Sequence, residues 1–294
     1  MLPIHSGLHV QIPPIKTQGI KTKLIPVIAS SIRWQGAGRW IEPFLGSGSV
    51  AFNLKPARAI LSDTNRHIIE FYLRLQAEKI TPSSVRQHLE REGALLRQEG
   101  EHYYRVRQRF NDSHDPLDFL FLNRACFNGV MRFNRSGNYN VPFCRKPNRF
   151  RPAYITKVVN QVAWMTQVIR TRDWTFRVAD WQTVMAEATA ADFVYLDPPY
   201  VGRHTDYYDS WSEHDADTLA SYLQRTTTGF AYSMWQENQY RRNRHLDRFA
   251  GYPLVNFDHY YHVGPTETLR NKMVEAIIIS PGHASLPVLA CQCH

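Results

Sequence analysis

Cysteine is scarce in this chain. The four present, Cys126, Cys144, Cys291 and Cys293, suggest no disulfide framework, and a reducing cytoplasmic compartment fits them best. No apolar run approaches membrane-spanning length; the longest, Val274 to Ser280, is interrupted by Glu275. The opening residues, Met1 to Ser6, lack the cationic start and apolar stretch of a secretion signal. Internal repeats and low-complexity tracts are missing. His259 and His262 have no neighbours at metal-ligand spacing, and the terminal Cys291-Gln292-Cys293-His294 lacks partner thiols, so no metal is expected. Acid is absent from one long stretch. Arg132, Arg135, Arg145, Lys146, Arg149 and Arg151 follow one another without a single Asp or Glu, interleaved with Phe133, Tyr139, Phe143 and Phe150. The overall charge of +9 does not separate a basic soluble enzyme from a polyanion binder. The local strip does, because neutralising phosphates and touching bases require cations with aromatics beside them.

What is present reads as an α/β protein. A short strand at Arg39 to Glu42 runs into Pro43-Phe44-Leu45-Gly46-Ser47-Gly48, a helix follows from Ser49, and Arg58 to Asp63 reads as a second strand. This β-α-β opening predicts a parallel sheet with right-handed crossovers. Residues 64 to 126 read as several helices, after which 130–133 and 139–143 are expected to be two strands around a hairpin turn, Asn134-Arg135-Ser136-Gly137. The α/β pattern resumes with a helix carrying Ile155, Val158, Val162 and Ile169. Strand candidates follow at 175–179, 192–196, 229–234, 255–261 and 273–280, with a helix from near Glu213. A doubly wound sheet built from 1–63 and 152–294 is therefore expected to be split by a helical insert, 64–151, bearing a basic β-hairpin.

Two stretches carry chemistry. Glycines between strand and helix, at Gly46 and Gly48, let backbone approach a ligand, and a helix N-terminus offers N–H donors. Asp63, ending the next strand, is placed for a ribose diol, or alternatively for capping the following helix, as is Asn65. The third glycine of a dinucleotide fingerprint and the Gly-Lys-Ser/Thr of a phosphate loop are both missing. Asp197-Pro198-Pro199-Tyr200, directly after the apolar Phe193 to Leu196, places a carboxylate and two prolines at the carboxyl edge of the sheet. Pro199 biases Pro198 towards extended backbone and so fixes the direction of its carbonyl. An amine on an aromatic ring offers two N–H donors while its lone pair is drawn into the ring. The Asp197 carboxylate and the Pro198 carbonyl can accept both hydrogens, so that nitrogen gains sp3 character and attacks a sulfonium methyl. Tyr200 is expected to stack on the base, a contact worth about 1–3 kcal/mol.

The order Glu42-Pro43-Phe44-Leu45-Gly46-Ser47-Gly48, long insert, Asp197-Pro198-Pro199-Tyr200 resembles the alpha group of DNA adenine N6-methyltransferases, and Phe127-Asn128-Gly129, Arg132, Asn134, Gly137 and Asn140 to Phe143 resemble its target-recognition segment. The resemblance implies a Rossmann-like S-adenosylmethionine-dependent methyltransferase fold and double-stranded DNA as substrate. It places Lys16, Gly19 and Lys21 in the cofactor-binding N-terminal segment, Glu42, Phe44, Gly46 and Gly48 at the cofactor's methionine end, Asp63 at its ribose and Asp180 at its adenine. It assigns Arg132 to a guanine, Asn128, Val130 and Pro142 to neighbouring bases, and Asn134, with Arg145 and Lys146 of the strip, to the DNA-binding face. A narrower resemblance, in Pro14 to Leu24, Phe143 to Phe150 and Gly202-Arg203-His204, is to modification methylases of the EcoRV type, which act on GATATC. Here Thr17, Gln18 and Ile20 replace the Trp-Ala-Gly-Gly pattern of the wider family.

The expected activity is base flipping followed by direct methyl transfer to adenine, as a monomer, with a cognate restriction endonuclease sharing the site without a stable complex. Tyr207, Tyr208 and Trp211 are candidates either to cover the flipped base or to pack in the core. Cytosine N4 enzymes and protein glutamine methylases usually carry Ser or Asn in place of Asp197, the glycine motif fits a nicotinamide enzyme poorly, and a non-catalytic DNA-binding protein would not need the tetrapeptide.

Overall fold

The computed structural model describes residues 9–200, 211–238, 242–260 and 272–285. Gly202-Arg203-His204, Tyr207, Tyr208, His262 and the Cys291–His294 tail lie outside the described residues. Chain order gives α1 (Ile25–Ser31), β1 (Trp40–Glu42), α2 (Ser49–Leu54), β2 (Arg58–Asp63), α3 (Arg66–Gln76), α4 (Pro82–Gln98), α5 (His102–Ser113), α6 (Pro116–Ala125) and α7 (Pro152–Arg170). Then come β3 (Asp173–Val178), α8 (Trp181–Met185), β4 (Phe193–Leu196), α9 (Glu213–Leu223), β5 (Gly229–Asn238), β6 (Leu254–Tyr260) and β7 (Lys272–Ile279). The seven strands form one sheet in the order β3-β2-β1-β4-β5-β7-β6. β1 to β5 run parallel, and β7 lies antiparallel between β5 and β6. Eleven residues, 261–271, separate β6 from β7, too few for a helical crossover, so the pair is antiparallel.

Burial follows the two-residue period of a strand. Phe193 and Tyr195 join the apolar cluster that contains Ile25, Ile28 and Val158, whereas Val194 and Leu196 join the one containing Val184, Leu219 and Leu223. Both faces are covered by helices, giving three layers, as a largely parallel sheet requires. The sheet order places β1 beside β4 while the chain winds outward in opposite directions from that pair. Their carboxyl ends therefore splay into a crevice, the usual ligand position in such sheets.

The insert shares its core with the sheet: Phe71, Phe110, Phe121 and Phe150 lie in the same cluster as Trp40 and Phe193. Its helices are also tied by buried ions. Glu92 of α4, 1% exposed, takes His102 Nε2 at 2.6 Å, Arg91 at 2.8 Å and Arg109 at 3.2 Å. Asp118 of α6 receives Arg109 at 2.7 and 2.5 Å, with His88 Nε2 at 3.2 Å. Burial pushes both carboxyls upward, but hydrogen bonds from His102 and Arg91 to Glu92, and from Arg109 and His88 to Asp118, outweigh it and hold both below their ordinary range.

The expected hairpin is not a ladder of two strands. Isolated bridges join Phe133 to Tyr139 and Cys126 to Phe143. Backbone bonds cross it from Asn134 N to Asn138 O (2.9 Å) and Asn140 N to Arg132 O (3.2 Å), but other N–H groups turn to side chains: Tyr139 N donates to Asn111 Oδ1 (2.8 Å), and Ser136 N and Asn138 N donate to Asn134 Oδ1 (3.0 and 2.9 Å). Pro142 has no N–H to contribute.

Because Glu92 and Asp118 are held low, their contribution is present above the usual carboxyl range and is lost as pH falls below it. Asp118→Ala should cost about 3 kcal/mol by removing the carboxylate shared by Arg109 and His88, with Arg109 left only its longer contact to Glu92. Urea unfolding should also show a weaker loss of stability on acidification than in the parent; an unchanged midpoint and acid slope would contradict this.

Candidate active site

The loop after β1 is shaped by two left-handed glycines, Gly46 (φ 50°) and Gly48 (φ 69°). A Cβ at Gly48 would come within 2.7 Å of the Phe52 ring, so the helix following the turn packs too closely for any side chain there. Gly46 N donates to Asp63 Oδ2 and Asn65 N to Asp63 Oδ1, both at 2.8 Å. Asp63 thus ties the loop to the end of β2. Capping of α3 falls to Asn65, whose Oδ1 accepts His67 N at 3.0 Å.

Strand periodicity places three acids on one face. Trp40 and Tyr195 belong to the α1-side cluster, so Glu42 and Asp197, two residues on, point the same way; Ile277 does likewise, and with it Glu275. Lys21, just before α1, reaches down among them, 4% exposed. Its Nζ lies 3.0 Å from Asp197 Oδ1 and 3.6 Å from Glu275 Oε2, and donates to Tyr200 OH (3.0 Å) and Gly19 O (3.2 Å). Trp40 Nε1 donates to Glu42 Oε1 at 2.8 Å. Burial pushes the Glu42 carboxyl up to about 8, with Asp197 adding repulsion. Burial also raises Asp197 to about 6, opposed by Lys21 and reinforced by Glu275.

A cavity of about 390 Å³ opens over this face, lined by Gly19, Lys21, Glu42, Phe44, Gly46, Asp63, Asp180, Asp197 and Pro199 among others. Most of the cofactor candidates therefore meet two residues of the candidate catalytic tetrapeptide, Asp197 and Pro199, in one place, whereas Pro198 and Tyr200 are not part of the lining. Trp211 lines it too, edge-on to Phe44 with centroids 5.3 Å apart. Asp180 stands at the rim as the N-cap of α8, accepting Thr183 N at 2.8 Å. Two expectations need correcting. Gly48 packs on Phe52 and is not part of the lining. Lys16 is not either: its backbone is clamped to Asn123 (2.8 and 2.9 Å), and its side chain crosses Gly129 near Arg149 and Arg124. Burial and those two cations lower its ammonium to about 8.

Asn128, Pro142, Arg145 and Lys146 are exposed together on the insert, with Val130 and Arg132 half-buried beside them. Asn140 orients Arg132, accepting from Nε at 2.8 Å through Oδ1. Asn134 is spent inside its own turn. The interleaved aromatics were expected to touch bases, but Tyr139, Phe143 and Phe150 are buried, and Phe133 stacks on His67 at 4.9 Å. Arg149 donates to Arg124 O (3.0 Å) and covers the Tyr154 ring. Phe127, already part of the target-recognition resemblance, is 54% exposed on this face. Two contributions were missed: the buried Met131 joins the cavity wall to the Arg132 segment through Asn65 Nδ2 (3.1 Å), and Glu275 lies beneath Lys21. The interruption of an apolar strand by Glu275 was the one available signal.

Residues 18–263 match the model of the D12 class N6 adenine-specific DNA methyltransferases. The chain is 33% identical over 195 residues to a DNA adenine methylase of Serratia marcescens, covering 61% of this chain and 66% of that protein. It is 30% identical over 221 residues to the retron Ec67 DNA adenine methylase of Escherichia coli, 71% of each. It is 28% identical over 229 residues to the type II methyltransferase M.MjaIII of Methanocaldococcus jannaschii, 69% of this chain and 74% of that one.

A carboxyl raised by folding contributes stability below its ordinary value of 4.5 that is lost as pH climbs through about 8. Ligand-free protein should therefore lose thermal stability between those values, and Glu42→Gln should flatten the loss in its upper half. Equal slopes for parent and variant in a melting series would refute a buried, neutral Glu42.

Proposed function

The chain belongs to the D12 class of N6 adenine-specific DNA methyltransferases, and we propose that it transfers a methyl group from S-adenosylmethionine to the exocyclic amine of an adenine flipped out of duplex DNA. The observation carrying this reading is the shared cavity. The glycine loop and Asp63, suited to a nucleoside, and Asp197 and Pro199 of the tetrapeptide, which is suited to an aromatic amine, line it together at the carboxyl ends of β1 and β4. The donor set fits the methyl donor's charge: among the described residues Asp63, Asp180 and Asp197 line the cavity against one ammonium, that of Lys21, and an incoming cation would favour ionisation of Glu42 beside them. Lys21, Gly19, Glu42, Phe44 and Gly46 would hold its amino-acid part, Asp63 its ribose and Asp180 its adenine. When bound, the cofactor supplies a sulfonium methyl: the C–N bond forms as S–C breaks, and the nitrogen then loses a proton to solvent.

The protein's part is to hold and polarise the amine. Asp197 and the Pro198 carbonyl accept its two hydrogens, and Tyr200, fixed through its hydroxyl by Lys21, stacks on the base. Ionised Asp197 is the useful form, so transfer should fade as pH drops below about 6.

Residues 1–63 and 152–294 carry catalysis in this reading, and 64–151 carry target recognition. Arg132 reads a guanine bidentately, Asn128, Val130 and Pro142 meet neighbouring bases, and Arg145 and Lys146 neutralise phosphates. Lys16, among Arg124 and Arg149, belongs to this cationic face. For the target we favour GATATC within a restriction-modification pair, on the stretches around Lys16 and Arg145; GATC is the second reading, on the segment from Phe127 to Phe143. A monomer acting on one strand at a time, in the cytoplasm, with an endonuclease that shares the site without binding it, suffices for this chemistry.

Asp197→Ala should abolish transfer of radiolabelled methyl to plasmid DNA while cofactor affinity stays within about threefold. Retained transfer with lost affinity would remove the assignment. Arg145→Ala or Lys146→Ala should weaken binding to all sequences and flatten its salt dependence by about one ion; a loss confined to one sequence would rule out a phosphate role. Single-molecule sequencing of methylated random plasmid should place every modified adenine in a G-A-T context, and sites outside it would discard the role given to Arg132.

A further inference from the structure

Lys21 offers three N–H donors to four acceptors: the Asp197 carboxylate, the Tyr200 hydroxyl and the Gly19 carbonyl within 3.2 Å, and Glu275 at 3.6 Å. The first three come from the chain immediately around the cavity. Glu275 comes from the antiparallel β7, opposite Trp235 of β5 and Phe257 of β6, and is 1% exposed. A buried carboxylate between Val274 and the buried run Ala276, Ile277, Ile278 and Ile279 is costly to desolvate, and packing alone would be served better by an apolar side chain.

We infer that Glu275 is a positioning residue for methyl transfer, acting through Lys21: its carboxylate draws the ammonium downward and keeps it shared between Asp197 and Tyr200 instead of closing on Asp197. The consequence is chemical. Asp197 must accept a hydrogen from the substrate amine, and a lysine collapsed onto the same carboxylate competes for those lone pairs and withdraws their charge. Tyr200 would lose the donor that fixes its hydroxyl, and with it the orientation of the stacking ring. Glu275 thus sets two groups of the tetrapeptide through one cation, from a strand that contributes nothing to the cavity lining. The inference rests on the reading of Asp197 as the amine acceptor.

Asp197 is faced by Lys21, by Ser233 of the neighbouring parallel β5 and Glu275 of β7 beyond it, by Glu42 at the end of β1, and by the phenols of Tyr195 and Tyr232. Among these, Glu275 adds negative charge and so opposes ionisation of Asp197. Removing that charge should move the acid limb of the rate profile to lower pH, a change that loosened packing alone would not produce.

The test uses the full chain, plasmid DNA carrying G-A-T sites and radiolabelled S-adenosylmethionine, in single-turnover mode from pH 5 to 8. Wild type must first transfer methyl with an acid limb near 6; if it transfers none, the functional reading itself fails. Given an active wild type, Glu275→Gln should lower the plateau rate by about tenfold to a hundredfold, shift the limb down by about one pH unit, and leave cofactor affinity by calorimetry within about threefold. A wild-type plateau, or a slower variant with the limb unmoved, overturns the inference. If Glu275→Gln does not fold, Glu275→Asp decides: charge is kept and reach shortened, so the limb should stay while the plateau falls about threefold or more. A wild-type plateau or a displaced limb in that variant overturns it equally.

Discussion

The ammonium of Lys21, held among carboxyl groups on one face of the sheet, is the interaction on which the site depends. Glu42, Asp197 and Glu275 arrive there from three different strands because side chains two residues apart share a face. Three acids crowded on a buried surface would repel one another. Burial already pushes two of them towards their neutral forms, Glu42 furthest. One lysine, touching Asp197 and the Tyr200 hydroxyl at 3.0 Å, eases that repulsion at Asp197, the proposed amine acceptor, while burial keeps the Glu42 carboxyl raised. A second cation is what such a pocket is electrostatically prepared to receive.

Topology puts this arrangement where a ligand can reach it. The chain winds one way from β1 and the other way from β4, so the loops after these neighbours part and leave room. The glycine loop fills one side of the crevice and the proline-rated stiffness of Pro198 and Pro199 fixes the other. Asp63 braces the loop through two backbone N–H groups, and Asn65, next to it, carries the brace to Met131 and so to the segment ending in Arg132. The cavity and the proposed target-reading surface are thereby joined through one continuous core.

Much of this was legible in the sequence because it depends on local rules. The apolar run before Asp197, the turn glycines at Gly46 and Gly48, and the acid closing β2 each declare their place within a few residues, and the sheet strands lie where they were expected, whereas the two strands of the hairpin do not form. What was missed depends on pairing between distant segments. β7 reads as one more strand, and nothing local shows that it runs antiparallel between β5 and β6 and so sets Glu275 beneath Lys21. Lys16 and Lys21 look equivalent in sequence, yet the clamp of Lys16 to Asn123 turns one towards the insert while the other enters the cavity. The aromatics of the basic strip looked like base contacts because composition cannot tell a side chain facing DNA from one anchoring the loop; Tyr139 and Phe150 anchor it. Asn134 was read as part of the DNA-binding surface, and its amide oxygen closes its own turn instead.

The account stands or falls on whether the cation-seeking cavity and the tetrapeptide serve the same reaction. A crystal structure of the protein with a stable amino analogue of S-adenosylmethionine measures this most directly. The predicted result is the analogue in the cavity between Gly46 and Asp197, its ribose hydroxyls on Asp63 and its charged centre on the side of Asp197 and Pro199. An analogue bound elsewhere, or bound there with its charged centre turned away from Asp197, would contradict it.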